Sequence, residues 1–216
     1  MHISMSRLFK GLSLLALTMF VLSALVLISV KAVGASSLSN SLVQSNKNAS
    51  IPLHSFTFNL VPSSSGINAC LPHASGSVTI TPHSLNDTMK VSVSGLAPNT
   101  GYDLFVIQLP GKPFGVSWYQ SDLQTDSTGA GSVTVVGIFN KETFSVSTGG
   151  TTTFSPTHQY HIGLWFNDPN VPFKLGCEPG ATSPIVTPFN GEQHAGIQVL
   201  NTSNFPNNAG PLSHVS

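Results

Sequence analysis

Charged side chains are scarce in this chain. Of its 216 residues, eight are Lys or Arg and eight are Asp or Glu, which is 7% of the sequence, whereas an ordinary soluble domain carries about 25%. The two signs balance, so no basic excess directs the protein to nucleic acid. A hydrophobic fraction of 40% excludes a disordered chain, because disordered segments have too few apolar residues to bury.

Long helical patterns are also missing from most of the chain. Interruptions are frequent, with 15 Pro and 19 Gly residues, and beyond Ala35 no sustained apolar stripe follows the i, i+3, i+4 spacing of a helix. Ser, Thr and Asn supply the polarity instead, and these residues favour turns and strands over helix interiors. The composition therefore predicts an all-β fold.

The amino terminus holds the one long apolar segment. Arg7 and Lys10 precede an uninterrupted apolar or small-residue stretch, residues 12–30, and small residues follow up to Ala35. This order is typical of an export signal that is cleaved after Ala35. The stretch is also nearly as long as the roughly 20 residues that span a bilayer, so a retained anchor helix is the alternative. Both alternatives place the remaining chain outside the cytoplasm, either secreted or tethered to the outer face of the membrane by residues 12–30.

The remaining chain divides into a spacer and one domain. Residues 36–52 are rich in Ser and Asn without periodicity, which predicts a flexible spacer. Residues 53–216 form the predicted domain. Cys70 and Cys177 both lie in it, and an oxidising compartment favours their pairing in a disulfide. Two free buried thiols and a reactive thiol are the alternatives.

Alternation of apolar and polar residues predicts most strands of this domain. Phe56, Phe58 and Leu60, for example, fall on one face of a strand. Residues 104–107 are apolar without interruption, which predicts a central strand covered on both sides. The predicted strands are 53–60, 77–81, 89–94, 102–109, 132–139, 143–147, 159–167, 185–187 and 195–200. About nine or ten short strands around one core are typical of an antiparallel β-sandwich.

One turn has the pattern L-x-P-x-T-x-Y, at residues 96–102. It resembles the tyrosine corner of fibronectin type III and other immunoglobulin-like domains, in which the hydroxyl bonds back to the turn and the ring packs in the core. Residues 125–133 are similar to hairpins of exported bacterial β-domains. The resemblance covers residues 77–138 and implies an immunoglobulin-like sandwich, but no ligand or activity. Because much chain follows Asn140, we expect extra strands or a second sheet layer there.

Two aromatic segments near turns are the predicted ligand-binding residues. Trp118 and Tyr119 follow a loop rich in Pro and Gly, and Trp165 precedes Asn167 and Asp168 at the end of a predicted strand. An aromatic face beside amide and carboxyl groups is typical of a carbohydrate site, where a ring stacks and the polar groups form directed hydrogen bonds. The alternative is that both tryptophans belong to the core.

Histidines supply a second hypothesis. His158, His161, Glu192 and His194 form a candidate metal site, since imidazole and carboxylate groups ligate zinc or copper. On one strand His158 and His161 would point to opposite faces, so they can share a metal only in a turn. Local hydrogen bonding by turn and surface histidines is the alternative, and no cofactor is expected with it.

The sequence contains no recognisable catalytic set. Gly-x-Ser-x-Gly is absent, and no glycine loop opens a helix to bind phosphate. A pair of carboxylates for glycoside hydrolysis is still possible, although the chain has only eight acidic residues from which to form it. We therefore predict an exported, monomeric, non-catalytic binding module whose partner is a glycan or a cell-surface protein, with membrane contact only through the amino-terminal segment. A secreted metal-binding protein or hydrolase is one alternative, and a structural cell-surface component is the other.

Overall fold

The computed structural model describes four stretches of the chain, residues 54–139, 145–154, 160–189 and 192–215. The chain divides into two units, residues 1–46 and 47–216, and every described residue lies in the second. The predicted export signal and spacer therefore fall outside the described residues. No helix in the described part is long and apolar enough to cross a membrane.

The described part consists mainly of short strands. They are β1 Phe56–Pro62, β2 Ser75–Thr81, β3 Asp87–Ser94, β4 Gly101–Ile107, β5 Ser117–Gln124, β6 Gly131–Gly137, β7 Ser145–Thr148, β8 Thr151–Phe154, β9 His161–Phe166, β10 Thr187–Phe189, β11 Glu192–Ala195 and β12 Gln198–Asn201. Two short helices, α1 Ser65–Cys70 and α2 Asn170–Lys174, and a 3-10 turn at Pro211–His214 complete the elements. The predicted all-β class is confirmed.

Eight of these strands form one antiparallel sheet in the order β5-β4-β9-β12-β1-β2-β3-β6. β1 joins two halves of this sheet, because Phe56–Leu60 pair with β2 whereas Val61 and Pro62 pair with β12. The edge strands β5 and β6 also contact each other, so the sheet nearly closes on itself. We call β1, β2, β3 and β6 the first half-sheet and β4, β5, β9 and β12 the second half-sheet.

The inward faces of the two half-sheets share one core. In β3 the alternating residues Met89, Val91 and Val93 are buried in it, as the sequence predicts. β4 and β9 are buried on both faces along almost their whole length, which confirms the central strand predicted at residues 104–107. β5 is not among the predicted strands, because its polar residues conceal the pattern and only Leu123 of this strand is fully buried.

Tyr102 has the geometry predicted for a tyrosine corner. Its hydroxyl accepts a hydrogen bond from the Ala97 N–H at 3.0 Å, and its ring is buried with its centroid 5.0 Å from that of Phe166. Burial raises the pKa of the Tyr102 hydroxyl, against the lowering effect of the bond from Ala97. The turn before β4 is thus tied to the shared core by one buried side chain.

The predicted disulfide between Cys70 and Cys177 is confirmed, with their Cα atoms 5.1 Å apart. It joins the end of α1 to the segment that follows α2. The two segments are also in close backbone contact, since a Cβ added at Gly66 would lie 2.6 Å from the Cys177 carbonyl oxygen. The bond and this contact together fix the position of the residues after Cys177.

Candidate functional site

The outer face of the second half-sheet is covered by a second buried layer. Phe105, Ile107 and Trp165 form a cluster with Ala195 that is separate from the shared core, and Phe114 packs against it. The Trp165 ring centroid lies 5.5 Å from that of Phe105 and 5.1 Å from that of Phe114, both edge to face. This arrangement explains the uninterrupted apolar run in β4, because alternate residues enter different clusters.

A pocket of about 430 Å³ lies beside this second cluster. Small-molecule sites commonly measure about 300–1,000 Å³. The walls come from four separate stretches, within residues 63–66, 111–114, 177–187 and 197–198. One stretch begins α1, one belongs to the loop between β4 and β5, one follows the disulfide, and one starts β12. The pocket therefore exists only when the whole second layer has assembled.

Glu178 is the buried acid of this pocket, with 7% of its surface exposed. Its Oε2 accepts a hydrogen bond from the Ile185 N–H at 3.0 Å, whereas Oε1 has no partner among the described residues. Burial raises the pKa of the Glu178 carboxyl, and the bond from Ile185 opposes that rise. A buried acceptor without a partner costs about 1–3 kcal/mol, and a perturbed carboxyl in a cleft is typical of a functional site.

Gln198 also lines this pocket, with 8% of its surface exposed. A chain of hydrogen bonds fixes its amide. Asn201 Oδ1 accepts from the Ser203 N–H at 3.0 Å, so Asn201 Nδ2 is free to donate to Gln198 Oε1 at 2.9 Å and to the Pro110 carbonyl at 3.0 Å. Gln198 Nε2 is then the remaining donor, and it has no partner among the described residues.

Gly163 of β9 has no side chain, and the Gln198 amide lies beside the space that a Cβ would occupy. A Cβ at this position would be 2.6 Å from Gln198 Nε2 and 2.3 Å from the nearest atom of the Trp165 ring. The Trp165 ring has little space to move aside, since it is fully buried. A glycine between two apolar neighbours of a central strand is therefore a requirement of the pocket.

The loop between β4 and β5 forms the outer wall. It is closed by bonds from the Leu109 N–H to the Phe114 carbonyl at 2.8 Å and from the Val116 N–H to Gln108 Oε1 at 3.1 Å. Phe114 adopts a positive φ of 50°, which aims its ring at the second cluster. Lys112 of the same loop is exposed and lines the pocket.

The structure divides the predicted aromatic residues between two environments, since Tyr119 and Trp165 both pack edge to face on Phe105 and Trp118 packs against the shared core. Trp165 is fully buried in the second cluster, whereas Trp118 is half-buried against the shared core with its ring 4.9 Å from Tyr160. Tyr119 is 43% exposed and donates a hydrogen bond to Asp122 at 2.8 Å. Of these aromatic residues, Trp165 supports the pocket, because its ring packs against Phe114, which lines the pocket.

Asn167 and Asp168 follow β9 and form hydrogen bonds outside the pocket lining. Asn167 Nδ2 donates to the buried Asp103 at 2.9 Å. Asp168 Oδ1 accepts from the Asn170 N–H and from its side-chain amide, each at 2.8 Å. These two bonds lower the pKa of the Asp168 carboxyl, and they suffice to explain the turn that starts α2.

Only part of the predicted metal site lies within the described residues. His161 is fully buried, its Nδ1 lies 2.9 Å from Thr202 Oγ1, and burial lowers its pKa. His194 is exposed. His158 and the side chain of Glu192 lie outside the described residues. Within the part of the chain that the structure describes, no group of three His, Cys, Asp or Glu residues is placed to hold a metal. The four-residue metal site stays a prediction.

The pocket residues Glu178, Gln198 and Lys112 are absent from the residues predicted by sequence. Two signals were available, an acid directly after a paired cysteine in a chain with few acids, and a loop rich in Pro and Gly before an aromatic segment. Comparisons with family models, curated proteins and solved structures find no match for this chain. The function is therefore inferred from the chemistry of the pocket.

Proposed function

We propose that this protein is an exported, non-catalytic binding module that holds a small ligand in the pocket of the second half-sheet. One observation carries the proposal. Glu178 and Gln198 line the same pocket, and each carries one buried polar atom, the acceptor Oε1 and the donor Nε2, without a partner among the described residues. A ligand that bonds both would relieve two desolvated groups, each of which costs about 1–3 kcal/mol when unpaired.

The charged residues of the pocket favour binding over hydrolysis. Among the described residues that line it, Glu178 is the one acid and Lys112 the one cation. Hydrolysis of a glycosidic bond commonly needs two carboxyl groups on opposite sides of that bond. A single acid beside an amide and apolar walls instead resembles the usual small-molecule site, in which a few polar groups orient the ligand.

The scaffold that we propose is an immunoglobulin-like sandwich, monomeric and exported by its amino-terminal segment. The shared core between the two half-sheets and the bond between Tyr102 and Ala97 support this fold. Residues 1–35 act as the signal or anchor, so that the protein is either secreted or held at the outer face of the membrane by residues 12–30. The pocket then faces extracellular ligands.

A screen of small molecules against the full-length chain tests the proposal. A ligand at 100 times its Kd stabilises a protein by about 2.7 kcal/mol, which raises the Tm by roughly 5–11 °C for a chain of this size. We expect Glu178→Ala and Gln198→Ala to abolish the rise, and the exposed Asp168→Asn, outside the pocket, to leave it intact. A ligand whose effect survives both pocket variants would contradict the proposal.

A further inference from the structure

Glu178 and Gln198 line the pocket, and their buried atoms without partners among the described residues differ in hydrogen-bonding role. Glu178 Oε1 accepts hydrogen bonds and Gln198 Nε2 donates them. A hydroxyl group can both donate and accept, whereas an ammonium only donates and a carboxylate only accepts. A ligand with several neighbouring hydroxyls therefore satisfies both sites whichever hydroxyl faces which group.

The charges that line the pocket balance each other. Among the described lining residues, Glu178 is the one acid and the exposed Lys112 is the one cation. The chain as a whole has a formal net charge of zero with 7% charged residues, so no strong field attracts ions of either sign. A ligand without net charge matches this balance.

The remaining walls suit a ligand that has an apolar face as well as polar edges. Phe114, Pro179, Ile185 and Ile197 contribute apolar surface to the pocket, and Phe114 is held in place by its edge-to-face contact with Trp165. A sugar ring presents C–H groups on its faces and hydroxyls around its edge. Its faces can pack on these side chains while its hydroxyls reach Glu178 and Gln198.

We infer that the ligand is a neutral saccharide, bound by hydrogen bonds to Glu178 Oε1 and from Gln198 Nε2. This inference rests on the proposed function, since it names the class of ligand for the same pocket. It also implies a selectivity, in which neutral sugars bind more tightly than their uronate or amino derivatives of the same ring.

The test uses the full-length chain in mild detergent and two sets of probes, followed by NMR of the backbone amides. The neutral set is glucose, galactose, mannose, xylose and N-acetylglucosamine, and the ionic set is glucuronate, glucosamine and single amino acids. We expect a neutral sugar to shift the amide signals of Gly163, Phe114 and Ile185. Glu178→Gln replaces one acceptor by a donor, and Gln198→Met removes the donor. Each substitution should weaken the binding of that sugar by at least tenfold.

Each outcome separates the two proposals. Thr79→Val, on the other half-sheet, is the matched control and should leave sugar binding unchanged, and the amide spectrum of each variant shows whether it is folded. Binding of an ionic probe at these amides without any neutral sugar overturns the saccharide class but keeps the pocket as the ligand site. If neither set nor a broad fragment library shifts these amides, both proposals fail. A sugar that shifts only amides of the first half-sheet also overturns the inference.

Discussion

The two half-sheets use their outer faces in opposite ways. The first half-sheet leaves its outer face to solvent and lines it with hydroxyls, such as the cross-strand pair of Thr57 and Thr79 at 2.8 Å and that of Ser75 and Ser94 at 3.0 Å. The second half-sheet covers its outer face with the loop that carries Phe114 and with β11, which contributes Ala195. One continuous sheet thus has a hydrated end and a covered end.

The difference lies in what lines the pockets at the two ends. A pocket of about 630 Å³ on the first half-sheet is lined by residues 59–62, 74–77 and 92–94, where hydroxyls such as those of Ser75 and Ser94 are exposed and bond to each other. On the covered face, loops rather than a regular layer lie over Trp165, and irregular loops leave a space of about 430 Å³. Glu178 and Gln198 at its margin each keep one buried polar atom without a partner among the described residues. These atoms are the reason for proposing a ligand there.

Removing the disulfide should reduce the stability of the covered end more than any of the other substitutions below. Cys70→Ser combined with Cys177→Ser releases α1 from the segment that carries Glu178, and the lost cross-link spans 107 residues. The chain-entropy model gives about 4–5 kcal/mol for a loop of this size, and measured losses are typically about 2–5 kcal/mol. We expect a loss in that range in urea denaturation, together with loss of ligand binding.

Reduction of the wild-type protein is the matched control for this variant. A reducing agent should reproduce the lower urea midpoint in the wild type and change nothing in the double variant. An unchanged midpoint in the double variant would show that the covered layer holds its position without the cross-link.

Gly163→Ala tests the close packing of the covered face at a single methyl group. The new Cβ would lie 2.3 Å from the Trp165 ring and 2.6 Å from Gln198 Nε2, and overpacking of this kind typically costs about 1–3 kcal/mol. We expect a loss of stability in that range, measured by thermal unfolding, and weaker ligand binding because the Gln198 amide moves. Gly111→Ala is the control for the stability measurement alone, since a Cβ there meets nothing within 4 Å but Gly111 lines the pocket. Equal losses of stability from both substitutions would refute this account.

The sequence predicts the hydrated end better than the covered end. Regular alternation, as in Met89, Val91 and Val93, arises because one face of the strand meets the core and the other meets water. The tyrosine corner at Tyr102 and the cysteine pair are equally local or compositional signals. Each could be recognised without knowing which distant segment packs against it.

The pocket could not be predicted, because it depends on contacts between distant parts of the chain. The pocket brings together Lys112, Glu178 and Gln198. This requires that β12 insert between β9 and β1, and that the disulfide hold the segment after α2 in place. β5 is missed for a related reason. β5 lies at the edge of the sheet, and its many polar residues do not alternate regularly with apolar ones. Its pairing with β4, rather than its own sequence pattern, makes it a strand.

Glu178→Gln should produce a smaller effect that depends on pH. The raised pKa of Glu178 means that the folded state holds the proton more tightly than the unfolded state. The unfolding free energy is then greatest below the ordinary pKa of 4.5 and falls as the pH rises through the raised folded value. The substituted protein lacks this decline. We expect its stability relative to wild type to increase from pH 4 toward neutrality, measured by urea denaturation across a pH series.

The exposed Asp168→Asn is the control for this pH series. Its local bonds lower the pKa of Asp168, so its removal should change relative stability in the opposite direction as the pH rises. A Glu178→Gln variant whose relative stability is flat across the series would mean that Glu178 is not desolvated in the folded protein.

Thr79→Val on the hydrated face should have the smallest effect. The substitution removes an exposed hydroxyl bond to Thr57 but keeps a β-branched side chain that suits a strand, and surface changes of this kind usually stay within about 0.5 kcal/mol. We expect an unchanged urea midpoint and unchanged ligand binding. A loss of stability above about 1 kcal/mol, or any loss of ligand binding, would show that the two ends of the sheet are coupled. Because β1 of the first half-sheet also pairs with β12 of the second, this pairing is one route for such coupling, beside the shared core and the contact between β5 and β6.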